Sequence, residues 1–575
     1  MSKIERTSVS NWRFYVVASL LSVLLILLLW RVISLQVLDN DYGYQFLQGQ
    51  GDARSLRYAE IPAHRGLITD RRGEPLAVST PVVSIWVNPK QLASDARKVP
   101  ELARALGRSE ADLMKQLERY SNKQFLYLKR HIVPTEARKL LALRIPGVYG
   151  EREYQRYYPA GEVTSHLVGF TDMDGQGIEG LELAYDDWLH GESGKKKFVK
   201  DLYGDMVRDI GEIRAARPGK NIALSIDLRL QYLAFRELQA AVKRTGAKSA
   251  SIVTLDSRTG EVLAMVNHPS YNPNRRSDLK PSRLRNRVVT DVLEPGSTMK
   301  PLTVVAALES GQYRPDTVVD THPGKVRVGK KTFFDPVNYG QLTVSKIIAK
   351  SSQVGVVKIA LSLEHESIRA VFERFGFGDN PGTGFPGESS GVLPQHTKWH
   401  PVEKATLAFG YGLSVTPLQL AQAYGAIANG GKLLPVTLLR REGVVLGEEI
   451  TSPHVASQVL EILQGVTEKG GTATLARVDG YRVGGKSGTV HKVAEGGYKD
   501  DQYRAVFAGI APISSPRLVT IVVIDEPQGG NDYSGGKVAA PVFSGVMSGA
   551  LRLLNIPPDD VIHEAAVVNS GRGAA

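Results

Sequence analysis

Three short segments hold residue types at spacings that could do chemistry. The first is Glu294-Pro295-Gly296-Ser297-Thr298-Met299-Lys300-Pro301, which sets a Ser three residues before a Lys and runs into the apolar Leu302 to Leu308. A Pro-Gly break followed by aliphatic residues at helical spacing predicts a helix beginning near Ser297. Pro301 fits that start, because first-turn N–H groups have no intrahelical partner. Residues i and i+3 then share a face, with Cβ atoms roughly 5–6 Å apart. An amine in that position can take the proton of a Ser hydroxyl, an otherwise weak nucleophile. The helix N-terminus also favours negative charge developing on the oxygen. The second segment, Lys350-Ser351-Ser352-Gln353-Val354-Gly355, puts a hydroxyl and a carboxamide two apart at the start of another helical pattern. The third, Gly485-Lys486-Ser487-Gly488-Thr489, puts a cation, two hydroxyls and a residue without a side chain in one row.

Rival readings of such patterns need weighing. Ser-x-x-Lys also occurs at Ser193…Lys196, in a polar basic run that reads as a solvated loop, and at Ser534…Lys537, which is too Gly-rich to start a helix. Only the copy at Ser297 leads from a break into an apolar helix. Gly480 to Ser487 satisfies the phosphate-loop pattern G-x-x-x-x-G-K-[ST], but that loop must end in a helix. Here Gly488-Thr489-Val490-His491-Lys492-Val493 reads as strand. Gly175 to Gly180 matches G-x-G-x-x-G, yet Asp172, Asp174, Glu179 and Glu182 would repel a pyrophosphate, so it reads as a turn into a helix. His396 and His400 lie between two prolines without a supporting acidic pattern, so no metal site is expected.

The elements that must position these segments belong to a chain of 575 residues, too long for one ordinary core. Its 42% hydrophobic and 23% charged content is that of a folded protein. A net charge of +12 is spread without aromatic-interleaved basic clusters, which argues against nucleic acid and suits an acidic polymer or anionic membrane surface. With no Cys, disulfides, thiolate metal sites and Cys nucleophiles are excluded together.

Lys3, Arg6 and Arg13 precede an uncharged run from Phe14 to Trp30, and apolar residues continue to Leu38. That run reads as a retained membrane anchor over 14–38 with Arg31 snorkelling, since no small-x-small cleavage pattern follows Trp30. The positive flank keeps residues 1–13 cytoplasmic and exports the rest. Residues 39–217 form a mixed region without an evident convergent polar site, read as a spacer or docking module. Its expected elements are short strands around Ile68 and Leu76, a strand at Val82–Val87, and helices at Val99–Leu106, Glu110–Glu118 and Pro134–Leu143. After the break at Pro218-Gly219, residues 218–555 predict a helix from Leu228 with Asp227 as N-cap, then a hairpin over Ser249–Val266. Helices follow to about Asn429, then strands at Gly484–Val493, Ala505–Ala511 and Arg517–Ile524, and a closing helix at Pro541–Leu554. Strands from both ends of this region imply one α/β sheet. Residues 556–575 read as a disordered tail.

In order and spacing, Ser-x-x-Lys, Ser-x-[Asn] and Lys-[Ser/Thr]-Gly resemble the three motifs of penicillin-binding proteins and serine β-lactamases. Arg65-Gly66 to Leu76-Ala77, Arg156 to Gly161 and Gly177 to Glu182 resemble the N-terminal module of class B penicillin-binding proteins. Ala408 to Leu420, Ala508 to Pro512 and Val523 to Pro527 are similar to their division-specific members. The resemblance implies an α/β (α+β) penicillin-binding transpeptidase, serine β-lactamase-like fold, with a transmembrane helix and an elongated mixed α/β pedestal or dimerisation module. It implies a D,D-transpeptidase that cross-links septal peptidoglycan from the cell inner membrane, with its catalytic domain in the periplasm.

By the same resemblance Ser297 attacks the D-alanyl-D-alanine carbonyl and Lys300 is its general base. Ser351 relays a proton, and Lys486, Ser487 and Thr489 hold the terminal carboxylate. Gly488 lets the substrate backbone approach, and the N–H groups of Ser297 and Thr489 form the oxyanion hole. Gln353 stands where the family pattern has Asn; it keeps the carboxamide but moves it by one methylene. The implied partners are stem peptides of lipid II-derived glycan strands, β-lactams, a membrane glycosyltransferase of the FtsW type and other division proteins; no cofactor is implied. A serine β-lactamase, a side-wall elongation enzyme, a condition-specific paralogue, and a non-enzymatic β-lactam sensor or scaffold share parts of this pattern.

Overall fold

The computed structural model describes residues 11–36, 56–200, 206–275, 277, 279–364, 366–395, 400–494, 497–528 and 533–560. The helix Asn11–Gln36 is 26 residues long, and its most apolar 18-residue window has a mean hydropathy of 2.6. Among the described residues it is the one helix long and apolar enough to cross a membrane. It begins three residues before the expected anchor.

Two compact units emerge. The first takes its segments from Met1–Ala63 and Gly191–Pro218. Its sheet is antiparallel, in the order Leu56–Ile61, Gly194–Lys200, Met206–Arg214. The basic run at Ser193 to Lys197, expected as a solvated loop, is therefore the start of a central strand. Lys195 stands opposite Glu60 and Lys196 opposite Glu212. An antiparallel sheet with a wet face accepts such residues without an apolar run to announce them.

The second unit joins His64–His190 to the chain from Gly219 onward. Residues 64–190 thus share a core with the C-terminal half: Ile68, Leu76, Ala77, Leu167 and Leu181 are buried in one cluster with Leu224, Ile226 and Leu230. Ile222–Ala223 pairs in parallel with Ile68–Thr69. The expected strands near Leu76 and at Val82–Val87 are one strand, Pro75–Val87, paired along most of its length with Val148–Tyr157. A second small core gathers Ile85, Leu102, Leu113, Leu128 and Leu140 around the helices Val99–Leu106, Glu110–Arg119 and Pro134–Leu141.

The region expected to lack a convergent polar site has one. Arg65 Nε donates to Glu182 Oε2 at 2.6 Å and its Nη1 to Asp186 Oδ1 at 2.5 Å, while Arg156 Nε donates to Glu182 Oε1 at 2.6 Å. Glu182 is fully buried, and Arg65 and Arg156 nearly so. Three segments far apart in sequence meet on this one carboxylate.

The main sheet is five-stranded and antiparallel, in the order Val262–His268, Ser249–Asp256, Leu518–Asp525, Gly497–Ala511, Gly484–Ala494. It draws strands from both ends of the region, as expected. Every residue of Ser249–Asp256 is buried, so both faces are covered. The helices Leu228–Thr245 and Ala540–Leu553 pack together on the sheet, and Pro417–Ala428 packs against its three inner strands. Asp227 caps the first of these by accepting from Arg229 N, as predicted. Ile556 to Asp560, expected to be the start of a free tail, are tied down. Asp559 Oδ1 accepts from Arg482 N at 2.7 Å and Ile556 O from Tyr481 Oη at 2.7 Å. The rest of that tail, 561–575, lies outside the described residues.

Candidate active site

Ser297 sits in a 3-10 turn, Gly296–Met299, that feeds the α-helix Lys300–Glu309. The expected helix start is thus one turn of tighter helix, and Pro301 lies in the first α-turn, where its missing N–H costs nothing. The turn is held closely. Thr298 Oγ1 donates to Pro295 O at 2.7 Å, buried Tyr424 donates to Thr298 O at 2.7 Å, and Gly296 N donates to Gly410 O at 3.0 Å. Gly410 has φ +83°, and a Cβ there would lie 2.2 Å from Gly296 O, so no other residue fits.

Lys300 is 2% exposed, and its Nζ donates to Ser351 O at 2.6 Å and lies 3.2 Å from Ser351 Oγ. Burial pulls its ammonium down to about 7, opposed by the nearby carboxylate of Asp335. Ser351 was expected at the start of a helix. It instead caps the end of Val344–Lys350 in the left-handed conformation, φ 58°, and Ser352 caps the start of Gln353–Ser362. Gln353 is the first residue of that helix, and its N–H donates to Asp335 Oδ1 at 2.6 Å.

Lys486, Ser487, Gly488 and Thr489 lie on Gly484–Ala494, the terminal strand of the sheet. The phosphate-loop match therefore ends in strand, where that motif requires a helix. Lys486 is wholly buried and donates to Ser487 O at 2.9 Å. Burial and then the like charge of Lys300 push its ammonium well down. Burial is thus what lowers Lys300, while the like charge between the two amines weighs on Lys486. The strand runs against the Ser297 turn: a Cβ at Gly488 would lie 3.1 Å from both Pro295 O and Thr298 Cγ2. Ser487 Oγ lies 3.2 Å from Thr472 Oγ1. Thr489 Oγ1 accepts from Gly535 N at 3.0 Å. The copy of Ser-x-x-Lys at Ser534, judged unable to start a helix, caps the single helical turn Gly535–Val538 beside this strand. Its glycines are needed there, because a Cβ at Gly535 would lie 2.4 Å from Gly488 O.

Sequence reasoning missed Asp335 and Tyr424, which no motif announces. It also missed a cavity of about 410 Å³ beside the Ser297 turn, lined among others by Glu294, Gly412, His491 and Arg504. His396 lies outside the described residues. Among the described residues no group of three or more His, Cys, Asp or Glu could hold a metal.

A turn serine, a buried amine one helical step away, and a Lys-Ser-Gly strand on a sheet edge define a serine acyl-transfer site of the penicillin-binding class. Comparison with known proteins agrees. Residues 250–548 match the penicillin binding protein transpeptidase domain and residues 60–224 the penicillin-binding protein dimerisation domain. The chain is 43% identical over 559 residues to a probable peptidoglycan D,D-transpeptidase PbpC of Pseudomonas aeruginosa, covering 97% of this chain and 98% of that protein. It is 41% identical over 577 residues to the peptidoglycan D,D-transpeptidase FtsI of Escherichia coli K12, covering 99% and 97%. The transpeptidase domain of Burkholderia pseudomallei penicillin-binding protein 3 superposes with a TM-score of 0.54 at 42% identity, over 58% of this chain and 97% of that one. Penicillin-binding protein 3 of Mycobacterium tuberculosis complexed with aztreonam gives a TM-score of 0.68 at 28% identity, over 87% and 98%. The chain belongs to the class B penicillin-binding proteins.

Proposed function

We propose that the chain is a peptidoglycan D,D-transpeptidase that cross-links stem peptides of the septal wall through a Ser297 acyl-enzyme and is itself acylated by β-lactams. The observation that carries this reading is Lys300. It is an amine one helical step from Ser297, buried, held against Ser351 at 2.6 and 3.2 Å, and brought to about 7. A base with that affinity is half neutral at neutral pH. The relatives named D,D-transpeptidase support the substrate class, and the FtsI names support the septal role.

Neutral Lys300 takes the Ser297 proton as Oγ attacks the carbonyl carbon of the penultimate D-alanine. The N–H groups of Ser297 and Thr489 stabilise the oxyanion. The C–N bond to the terminal D-alanine breaks, and its amine leaves with a proton relayed through Ser351. An acceptor amine then attacks the ester and gives its extra proton to Lys300, which returns it to Ser297 Oγ as the ester C–O bond breaks, leaving the cross-link and free Ser297. Water in place of that amine would give carboxypeptidase action.

Lys486, Ser487 and Thr489 hold the substrate's terminal carboxylate by charge-assisted hydrogen bonds. That carboxylate favours a charged Lys486, whose repulsion in turn favours a neutral Lys300. Gln353 supplies the carboxamide beside the scissile amide. The helix Asn11–Gln36 anchors the chain in the inner membrane, with the N-terminus cytoplasmic and the catalytic domain, 218–555, periplasmic. Residues 39–217 serve as the non-catalytic pedestal, and an FtsW-type glycosyltransferase supplies the glycan strands. Covalent labelling of the detergent-solubilised chain by a fluorescent penicillin tests the chemistry: labelling lost in Ser297→Ala is expected, and labelling retained there overturns it. A fluorescent fusion tests the role, with midcell expected and a uniform sidewall signal contradicting it.

A further inference from the structure

A cavity of about 680 Å³ lies at the end of the main sheet where Asp256, Leu518 and Ala511 stand in register. Arg258, Arg482 and Arg517 line it, together with Leu554, Ile556 and Asp559 from the segment after the closing helix. None of the residues assigned to the Ser297 site takes part. Three guanidiniums from separate segments thus border one space.

Each guanidinium is already held, and two of them have no counter-charge. Arg258 Nε donates to Pro516 O at 3.3 Å and its Nη2 to Ser515 Oγ at 2.8 Å. Arg482 Nε and Nη2 donate to Gln464 Oε1 at 3.2 and 2.6 Å. Those acceptors are neutral, and among the described residues neither arginine pairs with a carboxylate. Arg517 does, through Nε to Asp256 Oδ2 at 2.8 Å. The carboxylate that lines the cavity, Asp559, is engaged by other donors: Oδ1 accepts from Arg482 N at 2.7 Å, and Oδ2 from Ser514 Oγ at 2.6 Å and Ser514 N at 3.2 Å. Positive charge therefore exceeds negative charge around the cavity.

Uncompensated positive charge in a concave site draws anions more strongly than the same charge on open surface. A guanidinium that is already fixed loses little freedom when an anion arrives, and its planar fork matches a carboxylate in two bonds. The volume is that of a small-molecule site. A lone inorganic ion would leave Leu554, Ile556, Pro512 and Pro557 without a partner. An organic anion with an aliphatic arm fills both halves.

We propose that this cavity is a second binding site, for a short acidic peptide that carries two carboxylates and an aliphatic side chain. Arg258 and Arg482 take the carboxylates, Arg517 adds its charge from its seat on Asp256, and Leu554 and Ile556 take the aliphatic arm.

The proposal stands apart from the acyl-transfer reading, and calorimetric titration of the full detergent-solubilised chain tests it. Three probes are used: N-acetyl-glutamyl-leucine, its uncharged analogue N-acetyl-glutaminyl-leucinamide, and inorganic pyrophosphate. The acidic peptide is expected to bind with a Kd of about 0.1 mM, ordinary for a ligand of that size, and more weakly as salt rises. The uncharged analogue and pyrophosphate should both bind more weakly, one lacking the charge and the other the arm. Arg258→Gln and Arg482→Gln should each weaken the peptide about tenfold or more, the scale of one lost charge-assisted contact. Arg482 also holds Gln464, so Arg258→Gln, at an exposed position, keeps the test valid should Arg482→Gln not fold. Penicillin labelling at the wild-type rate shows that Arg258→Gln is folded. No binding of the acidic peptide, equal binding of the uncharged analogue, or wild-type affinity in folded Arg258→Gln overturns the proposal. Pyrophosphate binding as tightly as the peptide overturns it too, since the cavity would then be a site for a bare anion.

Discussion

Replacing Glu182 by Gln tests how the N-terminal segments around Arg65, Arg156 and Glu182 are held to one another. The change preserves shape and removes one charge. In the wild type that charge accepts from Arg65 and Arg156 at 2.6 Å each, with Glu182 fully buried and Arg156 9% exposed. Taking one partner from a buried ion pair leaves the others uncompensated, at a cost of roughly 3–5 kcal/mol. Asp186 still holds Arg65 at 2.5 Å, so the burden falls on Arg156, whose Nη2 already has no hydrogen-bond partner among the described residues. A large cooperative unit loses about 2 °C of melting temperature per kcal/mol, giving a drop on the order of 6–10 °C. A thermal melt of the solubilised chain reads it directly. Penicillin labelling at low temperature should stay close to wild type, because the cluster touches no active-site residue. A melting shift under 2 °C would refute the inference that these segments share one folding unit through Glu182.

Gly410→Ala should abolish most labelling, with a loss of about 100-fold or more, because its Cβ would strike Gly296 O and push the Ser297 turn out of place; timed acylation measures it. Wild-type acylation should be about tenfold slower at pH 6 than at pH 8, since Lys300 at about 7 is mostly protonated at the lower value; a stopped-flow pH series shows whether it is. Gln353→Asn should speed acylation, shortening by one methylene a carboxamide whose backbone Asp335 already fixes, and an unchanged or slower rate would mean that the site is built for Gln.

Local periodicity made much of the fold legible. Val99–Leu106 and the helix from Leu228 with its Asp227 cap, like the sheet strands, follow apolar spacing that the backbone obeys directly. The three motifs were legible because each is a short run whose members stay adjacent on folding. What escaped depends on tertiary context. Asp335 is one polar residue behind an amphipathic hairpin, and only packing brings it 18 residues along the chain to Gln353 N. The basic strand at Gly194–Lys200 carries no apolar run on which a periodicity argument could act. Arg65, Arg156 and Glu182 looked like surface charges because their burial is possible only together. Ser351 is left-handed because two helices meet there, and neighbouring sequence does not reveal which side of that junction it occupies.

The central claim is that Ser297 is the nucleophile and buried Lys300 its base. Mass mapping of the chain after brief treatment with a penicillin tests it most directly, in wild type, Ser297→Ala and Lys300→Arg. A single penicilloyl adduct on the peptide containing Ser297 is expected in wild type, and none in Ser297→Ala. Almost none is expected in Lys300→Arg, whose guanidinium keeps its proton. An adduct on another residue, or full labelling of Lys300→Arg, would contradict the account.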